Sequence, residues 1–186
     1  LRRLIDWTRF LLAPPRCLHC QVPLQRTLLF CKECGEWLSL ADTPSLPDWL
    51  LVVFDLEGPG GSLTTSLSSQ SAYEHLASWM ALKWLQEPTR HADYVWAPFH
   101  KDEPLCAPFV RDLGYYKGVP QQEGGQTLLL LISHLHDLNG LIHCLRHLSH
   151  PNLKKIWILT GTIHSKIWSE RLLLIEIRNL VLNSSL

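Results

Sequence analysis

Residues 126–148 read QTLLLLISHLHDLNGLIHCLRHL, and the way that stretch divides settles the fold. Its first part, QTLLLLIS, is a continuous apolar run of strand length, the pattern of a strand buried on both faces at the centre of a parallel sheet. A short polar turn containing a glycine follows, and then a helix from Asn139 to Leu148. Residues 154–160, KKIWILT, supply the next strand, so strand, helix and strand form one β-α-β unit whose crossover is expected to be right-handed. The expected class is α/β with a parallel sheet.

Working outward, LLVVF at residues 50–54 reads as a strand from its β-branched and aromatic content, and EGPGGS at 57–62 reads as a turn. Glycines 58, 60 and 61 could approach a phosphate, but the Lys-Ser/Thr ending of a P-loop is missing, which favours a plain turn. Between Tyr73 and Leu85 apolar residues recur at helical spacing, and Leu76, Met80 and Trp84 form the stripe expected to pack. ADYVWAPFH at 92–100 reads as a short strand leaving through Pro98. The stretch 165–182 carries Ile167, Trp168, Leu172, Ile175 and Leu180 between charges, the pattern of a closing helix, with a strand as the alternative.

The chain has 186 residues, 46% of them hydrophobic, with seventeen basic and seventeen acidic side chains. That composition suits one globular domain with a small appendage, and the balanced charge gives no global field toward nucleic acid or an anionic membrane. Residues 1–15, LRRLIDWTRFLLAPP, lack the unbroken apolar run of a signal peptide and read as a short helix docking through Leu4, Ile5 and Leu11. No segment reaches the roughly 18 apolar residues of a membrane span. A cytoplasmic protein is expected.

Residues 16–38, RCLHCQVPLQRTLLFCKECGEWL, place Cys17, Cys20, Cys31 and Cys34 as two C-x-x-C pairs separated by ten residues. Two such knuckles supply the four thiolates of a tetrahedral zinc site, and in a reducing compartment this reading outweighs two disulfides. Four sulfurs leave no open position on the ion, so the site is expected to fold the segment rather than catalyse. His19 reads as a solvated neighbour of the site, and Cys106 and Cys144 as ordinary buried or half-buried thiols. The Pro-punctuated stretch ADTPSLPDW places a boundary near residue 45, with the ribbon in 1–45 and the α/β domain in 46–186.

The order of these features resembles the competence protein F (ComF) family, phosphoribosyltransferase-like proteins with an N-terminal zinc ribbon. The family's "PPRCLxCxxxL" start is matched by Pro14, Pro15, Arg16, Cys17, Leu18 and Cys20, with Cys31 and Cys34 closing the ribbon. Its strand and loop of the type "D-hydrophobic-VPVPLH-basic run-GFNQ" is similar to HADYVWAPFHKDEPLCAPFVRDL through Asp93, Ala97, Pro98, Phe99, His100, Lys101 and Phe109. Its phosphoribosyl-pyrophosphate loop, "LLVDDV-x-TTGAT", corresponds to LLLLISHLHDLNGLIHCLRHL. The resemblance implies a type I phosphoribosyltransferase-like sheet, zinc in the ribbon, and a role in natural competence. Single-stranded DNA and competence or recombination proteins are then the implied partners.

The residue types depart from the family at the loop that would hold the ligand. Ser133 and His134 stand where two acids grip the ribose hydroxyls, and Asp137 and Leu138 stand where threonines wrap the 5′-phosphate. A carboxylate there repels an anionic ligand by about 1–4 kcal/mol at 4 Å. Asn139 is a further departure, and Gly140 alone matches the tight turn, after a one-residue insertion. The family's basic run is reduced to KDEPLCAP. These changes lead to the expectation of a degenerate, non-catalytic domain.

Two alternatives stand beside it. One is an active phosphoribosyltransferase with an atypical loop; the other is a zinc-ribbon module binding nucleic acid or protein through Arg16, Arg26 and Lys32. His143 and His147 lie at the four-residue helical spacing that can grip a metal, with His134, His136 and His150 nearby, but no full ligand set can be named.

Overall fold

The computed structural model describes residues 15–24, 28–41, 46–67, 69–87, 89–118, 126–148 and 153–182. The expected N-terminal helix, with Leu4, Ile5 and Leu11, lies outside them, as do Arg26 and His150. Among the described residues five strands form a single sheet: β1 (Leu50–Val52), β2 (Tyr94–Trp96), β3 (Tyr116–Lys117), β4 (Gln126–Leu135) and β5 (Leu153–Ile163). Their order is β1-β5-β4-β2-β3, and every pairing is parallel. The helices are α1 (Lys32–Glu36), α2 (Pro59–Thr65), α3 (Gln70–Leu85), α4 (Glu103–Leu113), α5 (Leu138–Leu148) and α6 (Arg171–Leu182).

β4 and β5 hold the centre because their apolar runs can be buried on both faces. Leu128 to Leu131 are all fully buried, and burial of each such side chain stabilises the fold by about 2 kcal/mol. Alternate residues divide between two cores. Leu129 and Leu131 join Leu63 of α2, the Leu76, Met80 and Trp84 stripe of α3, and Leu105 and Phe109 of α4. Leu128, Leu130 and Ile132 join Leu141, Ile142 and Leu145 of α5 with Ile177 and Val181 of α6. The result is a helix-sheet-helix sandwich, in agreement with the α/β reading. Ile175, expected in the closing helix's stripe, faces solvent at 54% exposure.

The stretch EGPGGS is not a plain turn. Pro59 opens α2 at its first turn, where a missing N–H is harmless, and Gly58 caps it with φ 135°, a conformation only glycine adopts easily. A Cβ on Gly60 would collide with the Phe54 ring, and one on Gly61 with the Leu56 carbonyl oxygen. These two glycines serve close approach of α2 to the chain leaving β1. Likewise Gly140, matched to a tight turn, lies within the first turn of α5, and only His136 and Asp137 separate β4 from that helix. α3 begins at Gln70, three residues before the expected start, because Ser69 Oγ caps it by accepting from Ala72 N at 3.2 Å.

The cysteine segment lies against the α2 and α3 side of the sandwich, where Leu18, Leu29, Phe30, Leu38 and Leu40 pack on the core. Two polar ties reinforce its exit: Ala41 N donates to Val53 O at 2.7 Å, and Lys83 Nζ donates to Ala41 O at 2.9 Å. Among the described residues no helix is long and apolar enough to cross a membrane.

Candidate functional site

Two features carry chemistry: the cysteine cluster, and the rim formed where the parallel strands end. In the cluster, an antiparallel bridge between Arg16 and Pro23 folds the first pair into a knuckle. Cys17 N donates to Val22 O and Gln21 N to Cys17 O, at 2.9 and 3.0 Å. Gln21 takes the left-handed conformation that closes the turn, and Arg16 braces it by donating to Gln21 O at 3.1 Å. The second pair opens α1, whose N-cap is Cys31.

The four Sγ atoms of Cys17, Cys20, Cys31 and Cys34 lie within 4.8 Å of one another, and all four cysteines are free thiols. No other group of three or more such ligands is found among the described residues. The spacing suits donors around one ion. Burial opposes ionisation of Cys17, yet hydrogen bonds from the Cys31, Cys20 and His19 backbone prevail and lower its pKa to about 6. Cys34 is pushed the other way, first by burial and then by its thiol neighbours. Four thiolates crowded together repel one another, and a bound cation is what relieves that repulsion. The donor set therefore fits a metal ion.

His19 is exposed, and its Nδ1 lies 2.9 Å from Ser62 Oγ on α2. It links the knuckle to the α/β body. Cys106 is buried and Cys144 is half-buried, both away from the cluster.

The loop residues singled out in the sequence are spread over the end of β4, the short connection after it and the first turn of α5. Ser133 and His134 are strand residues of β4. Ser133 is buried, and its hydroxyl donates to Asp102 Oδ1 at 2.5 Å. Asp102, in the short turn His100–Asp102 before α4, is fully buried, and its Oδ2 has no partner among the described residues. Burial raises the Asp102 pKa, and Ser133 and Lys101 offset this only in part. One of the two acids in KDEPLCAP is therefore an interior group; the other, Glu103, is paired with Lys117 at 3.3 Å.

His134 Nδ1 lies 2.8 Å from Thr162 Oγ1 on β5, and Thr162 Oγ1 lies 2.8 Å from Thr64 Oγ1 on α2. Its ring stacks on His136 at 5.4 Å and meets His164 edge-on at 6.2 Å. Burial, then the electrostatic effects of His136, Lys101 and His164, lower its pKa to about 4, so it is neutral at ordinary pH.

Asp137 caps α5: its Oδ1 accepts from Gly140 N at 2.9 Å, and its carbonyl accepts from Leu141 N. Leu138 is buried in the second core, and Asn139 is exposed. A Cβ on Gly140 would meet the Asp137 carboxylate, so the glycine makes room for the cap. On α5 the His143 and His147 rings touch at 4.4 Å, both exposed, without a third ligand beside them among the described residues.

Asp102, Thr64, Thr162 and His164 were not visible as site residues in the sequence. Each is polar in an ordinary context, and its partner lies on another element. Comparison with protein-family models, with curated proteins and with solved structures finds no match to this chain.

Proposed function

We propose that this chain is a zinc-stapled, degenerate phosphoribosyltransferase-like protein of the ComF type. In this reading it handles single-stranded DNA together with competence or recombination proteins, and it transfers no phosphoribosyl group. Zinc is the metal favoured by four thiolates at this spacing, and with all four positions taken the ion acts as a structural staple. The non-catalytic reading is carried by Asp137. Its carboxylate accepts from the Gly140 amide at the start of α5, the place where a helix would otherwise receive a phosphate. A fixed negative group there both occupies the donor and repels the ligand.

The nucleic-acid role rests on the resemblance in feature order, and it is tested by single-strand binding at increasing salt. Backbone contacts predict affinity that falls steeply with salt. Affinity that is absent at low salt would refute the role.

One observation favours a second reading, a ribbon that docks a protein. Trp37 is 73% exposed, and with Val22 it borders a depression of about 380 Å³ on the cysteine cluster, lined also by His19, Glu33, Cys20, Cys31 and Cys34. Exposed tryptophans at apolar depressions are frequent interface anchors. Loss of partner binding in Trp37→Ala with the DNA affinity intact would select this reading.

A further inference from the structure

We propose that the cysteine cluster is a reversible redox switch. A peroxide joins Cys20 to Cys31 as a disulfide, which expels the metal and replaces it as the cross-link between the two knuckles. The inference rests on the reading that the cluster holds a metal ion, and it adds a second state to that site.

The four sulfurs are not equivalent. Cys17 and Cys34 are 0% and 6% exposed, whereas Cys20 is exposed and Cys31 is half-buried. The two most accessible thiols therefore belong to different knuckles, and their Sγ atoms lie 3.7 Å apart. Both line the depression bordered by Val22 and Trp37, so a small uncharged oxidant reaches them from solvent. Within each C-x-x-C pair one partner is buried. Access thus selects the pair that spans the knuckles over the pairs inside them.

Hydrogen peroxide is the oxidant class the step requires. Attack by the Cys20 sulfur breaks the O–O bond and gives a sulfenic acid and one water. The Cys31 sulfur then displaces the sulfenic oxygen as a second water and forms the S–S bond. Two electrons pass from the sulfur pair to the peroxide, and the two protons that complete the waters come from the thiols or from solvent. The sulfurs have to close from 3.7 Å to about 2.0 Å.

The metal leaves because its donor set is halved. Cys17 and Cys34 alone do not fill the four positions that a structural ion takes, and a disulfide sulfur carries no charge to offer it. The knuckles stay tied, since the new bond closes the loop between residues 20 and 31. A dithiol reductant reverses the exchange.

The test treats the metal-loaded chain with increasing hydrogen peroxide. Metal release is followed with a chromogenic chelator, disulfide identity by peptide mapping, and stability by thermal melts. About one metal ion is expected to leave per disulfide formed, with Cys20 linked to Cys31 and with Cys17 and Cys34 open to alkylation in the same molecules. The oxidised chain should melt above the reduced chain stripped by chelator, and dithiol with fresh metal should restore the loaded state. Dominant Cys17–Cys20 or Cys31–Cys34 links, a link through Cys106 or Cys144, or metal loss without a disulfide overturns the switch and leaves the metal reading intact. So does a Cys20–Cys31 link that keeps the metal, or an oxidised chain that melts like the stripped one. A chain that binds no metal before oxidation overturns both.

Discussion

Gly140 donates its amide proton to the Asp137 carboxylate at 2.9 Å across the first turn of α5. That bond caps the helix that follows β4. Asp137→Ala is expected to lower unfolding free energy by about 1 kcal/mol, the usual loss for an aspartate N-cap, read from urea denaturation. An unchanged midpoint would mean that the cap bond contributes nothing.

Asp102 and Ser133 make a second prediction, in the opposite sense to most carboxylates. Burial raises the Asp102 pKa in the folded chain. As pH rises from the unfolded value through the folded one, the unfolded chain releases its proton first. The stability from this group is thus present at low pH and is lost as pH rises through the folded pKa. Asp102→Asn should flatten that part of the stability profile. Ser133→Ala should remove the donor at Oδ1 and lower stability near neutrality by about 1–3 kcal/mol, with the Asp102 pKa raised further. A stability profile that Asp102→Asn leaves unaltered would contradict this.

Gly61→Ala should be more damaging than the addition of one methyl group suggests, because Gly61 is buried. The added methyl would meet the Leu56 carbonyl oxygen, a backbone atom with little room to yield, and overpacking of this kind costs about 1–3 kcal/mol. Gly35→Ala is the control, since a Cβ there has nothing within 4 Å. Thermal melts should separate the two variants clearly.

Removal of a ligand from the ribbon should be felt as lost folding energy. Cys34→Ser is expected to abolish stoichiometric metal binding and to remove several of the roughly 10–16 kcal/mol that structural zinc supplies in small fingers. Metal analysis and a chelator-dependent melt check this. A melt insensitive to chelator in the wild type would contradict the staple.

Much of the architecture was legible because it is written in local pattern. The run Leu128 to Leu131 has no polar residue to place on a wet face, so it could only be a central strand, and the cysteine spacing is a local geometric code. The misread positions are those whose role depends on a remote partner. Gly60 and Gly61 look like turn glycines, yet their smallness answers to Phe54 and Leu56. Asp102 looks like one more surface acid, and its partner Ser133 is thirty-one positions away. Thr64 and Thr162 are further apart still, joined only because α2 lies across the end of β5. Gly140 was aligned with a turn because composition does not reveal that Asp137 caps the helix beside it.

The central proposal, that this chain resembles a phosphoribosyl-pyrophosphate-binding frame but does not bind that ligand, is tested most directly by calorimetry with phosphoribosyl pyrophosphate and magnesium on metal-loaded protein. The account predicts no saturable heat. Saturable binding in the micromolar range, lost in a variant altered at Ser133, His134 or Asp137, would contradict it.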